Sequence, residues 1–272
     1  MNKKLGFIGA GNIAQTLIAG IVKSGLILPI NIYVYDCHHD KMKFLNQKYG
    51  INLTFSEEEL IKNTEILFLA VKSNIILNVL KDKFYCLNEN TLVISLAAGI
   101  KLEVLKKVLG PRSKILRIIP NTSALVGESM TSVTPNTLVT PHELKEVLQI
   151  FNLVGKTAVV SEDLIHSVIG ISSSAPAYVY MFIEAMTDAA VLGGMSRAKA
   201  YQFAAQAVKG AAEMILATGK HPGELKDNIC SPNGTTIEAI KVLEEKGFRA
   251  SVICAIYACM QKSIKNEELD NK

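Results

Sequence analysis

Ser231, Gly234, Thr235 and Thr236 stand within six residues of one another in "CSPNGTTIEAI", a polar turn between two amphipathic patterns. A glycine admits close approach to the backbone, the first amides of a helix are free to donate, and hydroxyls add further hydrogen bonds. Such a turn can hold a carboxylate through amides and Ser231, while Thr236 exchanges a hydrogen bond with a neighbouring heteroatom. The same residues also describe a capped turn and nothing more. Thr235 and Glu238 have capping-box spacing, Ile237, Ile240 and Leu243 share one face, and Gly247 follows as a stop. On that pattern Thr235 is the expected cap, with Thr236 in the first turn.

A second constellation lies near the N-terminus. Gly9, Ala10, Gly11, Asn12, Ile13 and Ala14 make G-x-G-x-x-A directly after the apolar residues 4–8. Gly9 permits a tight turn, Gly11 lets a pyrophosphate approach the backbone, and Ala14 allows close packing of helix on strand. A plain glycine-rich turn has the same composition, so the surroundings decide. Ile13, Leu17, Ile18 and Ile21 recur at helical spacing, and residues 31–36, "NIYVYD", read as a second strand ending in Asp36, where a ribose would lie. An acid there favours NAD over NADP, whereas His38, His39 and Lys41 just beyond it are suited to a phosphate.

These groups need a scaffold to position them. Apolar runs at 65–71, 91–99 and 113–121 alternate with helical patterns, one of them opened by Ser56 and Glu59. Alternating strands and helices with buried-type strands predict a doubly wound parallel sheet. Ligands bind beyond the carboxyl ends of such strands. Those ends carry Ala70-Val71-Lys72, Ala97-Ala98-Gly99 and Pro120-Asn121-Thr122. After residues 157–161 the strand signals stop, and helices follow. Residues 175–192 are apolar nearly all round, with Glu184, Thr187 and Asp188 as a polar strip, and Ser196 is a candidate cap for a further helix over 197–219. A helix so apolar must be buried, and a domain of this size can hardly surround it, so a subunit interface is expected. The fold class is α/β: a Rossmann-like doubly wound sheet over 1–161, then an all-α substrate and dimerisation domain over 162–272.

Bulk composition narrows the function. Apolar residues make up 49% and charged residues 20%, as in folded proteins rather than disordered ones. With 29 basic against 25 acidic residues and no block of like charge, neither a nucleic-acid arm nor a polybasic membrane patch is expected. Cys37, Cys86, Cys230, Cys254 and Cys259 are odd in number and contain no CxxC, which argues against a zinc knuckle or a disulfide framework. No metal is expected. The apolar stretch at the N-terminus is broken by Gly6, Gly9, Gly11, Asn12 and Gln15, unlike a signal peptide. The long charge-poor stretch 164–183 holds four serines and Pro176, unlike a membrane span. A cytoplasmic location is expected. No HExxH, GxSxG or Walker loop occurs.

"GFIGAGNIA", "FLAVK", "SLAAGI", "PNTSALVG", "SSSAPAYVYMFIEAM" and "HPGELKDNICSPNGTTIEAI" together resemble pyrroline-5-carboxylate reductase, in order, from Leu5 to Lys262. The resemblance implies reduction of 1-pyrroline-5-carboxylate to L-proline by NADP(H), with NAD(H) as the other possible cofactor. It also implies homodimers built through C-terminal helices, in the family often assembled into a decamer. By position it assigns cofactor contacts to Ile8, Gly9, Ala10, Gly11, Asn12, Ile13, Ala70, Val71, Lys72, Ser73, Ala97, Ala98 and Gly99, with Asn121 near the nicotinamide. Substrate contacts fall on Ser231, Gly234, Thr235 and Thr236, and Ser172, Ser174 and Lys72 are assigned on the same basis. Thr236 is the expected catalytic hydroxyl, bonding the ring nitrogen. Ser73 and Ser123 stand where the family usually has proline, and Ser173 where it has glycine. No convincing general acid emerges; His166 and His221 qualify by residue type alone. Two other readings stay open: a two-domain dehydrogenase of the 3-hydroxyacid or ketopantoate reductase type, and a non-catalytic nicotinamide-binding protein.

Overall fold

The computed structural model describes residues 1–80 and 83–271. Strand β1 (Leu5–Ile8) runs into helix α1 (Asn12–Ser24). Then come β2 (Ile32–Tyr35), α2 (His39–Tyr49), β3 (Asn52–Leu53), α3 (Glu57–Lys62), β4 (Ile66–Leu69), α4 (Ser73–Leu80), β5 (Leu92–Ser95), α5 (Leu102–Leu109) and β6 (Lys114–Ile119). These six strands are parallel and lie in the order β3-β2-β1-β4-β5-β6, the dinucleotide-binding arrangement. Central strands β1, β4 and β5 are buried throughout, as residues covered by helices on both faces must be. Side chains alternate between faces: Phe7 and Phe68 stack at 4.3 Å on one side with Leu17, Ile18 and Phe151, while Ile8 and Leu69 join Leu60, Leu105 and Ile115 on the other.

The sheet continues past the expected parallel set. Strand β7 (Ser129–Pro135) pairs antiparallel to β6, and after helix α6 (Pro141–Phe151) strand β8 (Gly155–Val159) pairs parallel to β7. β7 carries no apolar run because Ser129, Thr131, Ser132 and Thr134 fill its buried positions. Ser129 and Thr131 share a hydrogen bond of 2.9 Å, and Thr134 donates to the Val160 carbonyl, so most of these hydroxyls are satisfied locally.

Helix α7 (Ile165–Val168) passes into a π-helical turn at Ile169–Ser173. Helices α8 (Ala175–Leu192), α9 (Arg197–Thr218), α10 (Pro222–Ile229), α11 (Thr235–Glu245) and α12 (Phe248–Asp270) complete the described chain. Pro176 sits in the first turn of α8, where a missing amide proton is harmless, and Gly193 ends it. Two compact units result, Met1–Ser173 together with the stretch from Cys259 on, and Ser174–Ala258. The sequence boundary at 161/162 therefore falls inside the first unit. The physical reason is charge: Glu162 and Glu267 both pair with Arg117 of β6, which holds α7 and the end of α12 to the sheet unit. Among the described residues, no helix is long and apolar enough to cross a membrane.

Candidate active site

The turn after β1 is built by two glycines with different tasks. Gly9 has φ +104°, its amide donates to the Tyr35 carbonyl at 2.7 Å, and a Cβ there would lie 2.6 Å from the Ala70 carbonyl oxygen. Gly9 is required by the fold. Gly11 caps α1 with no side chain, and a Cβ there would meet no protein atom. The space over Gly11 is open. The first intrahelical bond is Gln15 N–H to the Gly11 carbonyl, so the amides before it are available to an anion.

Asp36, at the end of β2, closes the same turn. Its carboxylate accepts from the Ala10 amide at 2.7 Å and from the His38 amide at 2.8 Å, and the His38 ring lies 3.0 Å away. Partial burial works to raise its pKa, but the Ala10 and His38 hydrogen bonds outweigh that and hold it below the ordinary aspartate value. The Ala10 amide is thus engaged with the protein itself.

A cleft of ≈490 Å³ opens over this turn, lined by Gly9, Gly11, Asp36, His38, Lys41 and Lys72 among others. Val71 and Ala70 line it too, and Ser73 opens α4 just beyond. His39 stacks on Phe55 instead, with ring centroids 6.4 Å apart. Glu57 also borders the cleft; it sits in the first turn of α3, and only the sheet topology brings that turn beside β2. The cleft's size, its open glycine, its free helix amides and its acid at the strand end fit a dinucleotide.

Ala97, Ala98 and Gly99 follow β5, and Asn121 follows β6, at the same end of the sheet. Asn121 accepts from the Ser123 amide at 3.1 Å and donates to the Ser172 carbonyl at 3.2 Å, with the Ser172 hydroxyl at 3.4 Å. Ser172 in turn donates to the Met130 carbonyl at 3.0 Å. Two residues predicted fifty-one positions apart are therefore joined, through a π-helical turn of the kind found at functional sites. Ser123 supplies an amide donor that proline lacks. Ser73, first in α4, occupies a position proline also suits. The Ser173 hydroxyl is buried with no partner among the described residues, the one departure with an evident cost.

In the second unit the "CSPNG" turn follows α10. Asn233 adopts φ 56°, a left-handed conformation asparagine tolerates, and the Gly234 amide bonds the Ser231 carbonyl at 3.1 Å. The expected cap is corrected here: Gly234, not Thr235, is the N-cap of α11, and no side chain caps it. The helix starts one residue earlier than the capping-box spacing suggests, because the glycine's extended backbone already delivers its carbonyl to the Glu238 amide. The consequence favours a ligand. Neither Thr235 nor Thr236 has a hydroxyl partner among the described residues, and the first amides of α11 are unbonded. Ser174 stands at the N-cap of α8.

Both candidate histidines are otherwise engaged. His221 Nδ1 accepts from the Gly223 amide and caps α10, while His166 bonds Ser263 at 3.0 Å and Glu267 at 3.3 Å.

Known proteins with this architecture identify the family. A model of pyrroline-5-carboxylate reductase dimerisation matches residues 162–266, and one described as NADP oxidoreductase, coenzyme F420-dependent, matches residues 4–99. The pyrroline-5-carboxylate reductase of Escherichia coli is 54% identical over 265 residues, covering 97% of this chain and 98% of its own. The chain belongs to the pyrroline-5-carboxylate reductase family. The Coxiella burnetii pyrroline-5-carboxylate reductase structure superposes with a TM-score of 0.92 at 33% identity, over 97% of this chain and 98% of that one. The Plasmodium falciparum pyrroline carboxylate reductase, solved with NADP bound, gives 0.87 at 33% identity, with the same two coverages. A prephenate dehydrogenase from Aquifex aeolicus, at 17% identity and 0.55, shares the fold alone.

Proposed function

We propose that this protein reduces 1-pyrroline-5-carboxylate to L-proline, the final step of proline synthesis, with NADPH or NADH as electron donor. The observation that carries this reading is identity of 54% with a pyrroline-5-carboxylate reductase over 97% of the chain. A reduced nicotinamide, once bound, supplies a hydride to the imine carbon. The chain's own residues do the rest. Amides of Asn12 and Ile13 hold the pyrophosphate over Gly11, and Asp36 with His38 and Lys41 faces the ribose. Residues 70–73, 97–99 and Asn121 frame the remainder of the cofactor.

Ser231, Gly234 and the first amides of α11 hold the substrate carboxylate, with Ser172 and Ser174 as further polar contacts. The Thr236 hydroxyl accepts a hydrogen bond from the ring nitrogen when it is protonated and so favours the more reactive iminium. Its lack of a partner among the described residues supports this role. Catalysis then consists of orientation and electrostatics, with the solvent or substrate carrying the proton. Residues 1–161 provide the cofactor half, and 162–272 the substrate half and the subunit contact. A homodimer through the C-terminal helices is the working unit, a decamer the larger assembly, and the cytoplasm the location within this proposal.

The test is pyrroline-5-carboxylate-dependent oxidation of NADPH and NADH by purified protein, with proline identified as product. Reduction of the oxidised cofactor by a 3-hydroxyacid, or NADPH oxidation by ketopantoate, in place of this activity, or cofactor binding without turnover, would establish one of the rival readings.

A further inference from the structure

Arg117 is the largest fully buried side chain of the described residues, set in a strand of isoleucines and leucine. Its guanidinium donates to Glu162 at 2.8 Å, to Glu267 at 2.6 Å, and to the Ala98 carbonyl. The last of these acceptors belongs to the turn after β5. Glu162 uses the same oxygen to accept from the Leu102 amide at 2.8 Å, at the start of α5, on the far side of that turn. Glu267 is itself buried, and its other oxygen pairs with His166 at 3.3 Å and Lys101 at 3.5 Å.

The end of α12 reaches the turn directly as well. Asn271 donates to the Gly99 carbonyl at 2.8 Å and accepts from the Lys101 amide at 3.1 Å, bracketing Gly99 from both sides. A Cβ on Gly99 would meet the Asp270 carboxylate, so the end of α12 packs closely on this turn. The carbonyls of both Ala98 and Gly99 are thus tied down, one by Arg117 and the other by Asn271. Unbraced, a turn of three small residues between a strand and a helix has many accessible conformations and little side-chain contact to select among them.

We infer that the end of α12, through Glu267 and Asn271 acting with Arg117, is a positioning element that sets the conformation of the 97–99 turn and thereby the affinity for the nicotinamide cofactor. This rests on the proposed function only in taking that turn as part of the cofactor site. Neither Glu267 nor Asn271 is a catalytic residue in this scheme; both act through the turn.

The experiment compares wild type with Asn271→Ala, Glu267→Gln and the conservative Asn271→Gln. NADPH dissociation constants are measured by fluorescence titration without substrate, beside kcat and KM for each substrate and the Tm. Loss of one or two hydrogen bonds to the turn should raise the NADPH Kd and KM by roughly three- to tenfold in Asn271→Ala. KM for pyrroline-5-carboxylate should stay within about twofold, since that site is unaltered. Asn271→Gln should recover part of the loss. NADPH affinity unchanged in a folded, active Asn271→Ala would overturn the inference, as would a parallel rise in both KM values, which a merely structural defect produces. If Glu267→Gln does not fold, the Asn271 pair decides alone. A wild type that binds NADPH but does not turn over would sink the functional reading and leave this one intact, because the titration needs no turnover.

Discussion

Gly9 and Gly11 separate two reasons for keeping a glycine. At Gly9 a Cβ would meet the Ala70 carbonyl, whereas at Gly11 a Cβ would have nothing within 4 Å among the described residues. Gly11→Val should therefore leave Tm near that of wild type and abolish NADPH binding, measured by fluorescence titration; unchanged affinity would remove Gly11 from the cofactor site. Thr236→Ala tests the substrate half. Losing one hydrogen bond to a charged nitrogen, ~1.5–3 kcal/mol, should lower kcat roughly ten- to a hundredfold with NADPH Kd unchanged. Activity within about twofold of wild type would deny Thr236 that role. Asp36 bears on cofactor choice. Its carboxylate disfavours a ribose phosphate, while Lys41 in the same cleft offsets it, since two charges at ~5 Å interact by about 1 kcal/mol in water. Both cofactors should work, with kcat/KM differing by less than about thirtyfold. Asp36→Ser should shift the ratio towards NADPH. Because the folded Asp36 carboxyl is more acidic than a free one, its contribution to stability is complete above about pH 4 and fades as pH falls through the lowered value. The Tm gap between wild type and Asp36→Ser should accordingly close on acidification.

Among the elements, α6 shows how a helix that does not line the cofactor cleft is fixed. Thr140 accepts from the Glu143 amide while the Glu143 carboxylate accepts from the Thr140 amide, a complete capping box with Pro141 at the first position. Glu143 also pairs with Lys114 of β6 at 2.6 Å, which ties the cap to the sheet. Burial raises the Glu143 pKa, but the Lys114 pair and the Thr140 bonds more than compensate and lower it. Thr140→Ala should cost ~1 kcal/mol and lower Tm by a few degrees, with kcat and both KM values unchanged. Calorimetry beside steady-state assay would check it. The contrast with α11 is informative. There the cap is a bare glycine and the threonine hydroxyls have no partner among the described residues, an arrangement that forgoes the stability of a side-chain cap.

Across the whole molecule, the two units differ in how much they bury. Of the described residues 174–258, only Thr187, Ala200 and Ala204 are buried. On α8 only Thr187 of the polar strip is buried, Glu184 and Asp188 are exposed, and Tyr180 and Met181 are 63% and 70% exposed; Phe203 and Leu216 on α9 and Ile253 on α12 are also largely exposed. Apolar surface on this scale marks an interface rather than a solvated face. The protein should therefore be an obligate oligomer, with no folded monomer at dilute concentration. Light scattering coupled to size exclusion tests this, and a stable, active monomer would contradict it.

Local signals carried much of this in the sequence alone. Runs of branched apolar residues marked β1, β4, β5 and β6, because a strand buried on both faces has no polar position to interrupt it. Gly193 marked the end of α8, and G-x-G-x-x-A marked the turn before α1, since each acts through backbone geometry over a few residues. Tertiary structure decided the rest. β7 escaped notice because hydroxyl residues fill most of its buried positions, and those of Ser129, Thr131 and Thr134 are satisfied by neighbours. The backbone of Gly234 took the cap that spacing had assigned to Thr235. Arg117 drew no notice inside the apolar run 113–121, because its partners lie 45 and 150 positions away. A buried charge is tolerable only where opposite charges converge on it, and which residues converge is a property of the fold, not of spacing.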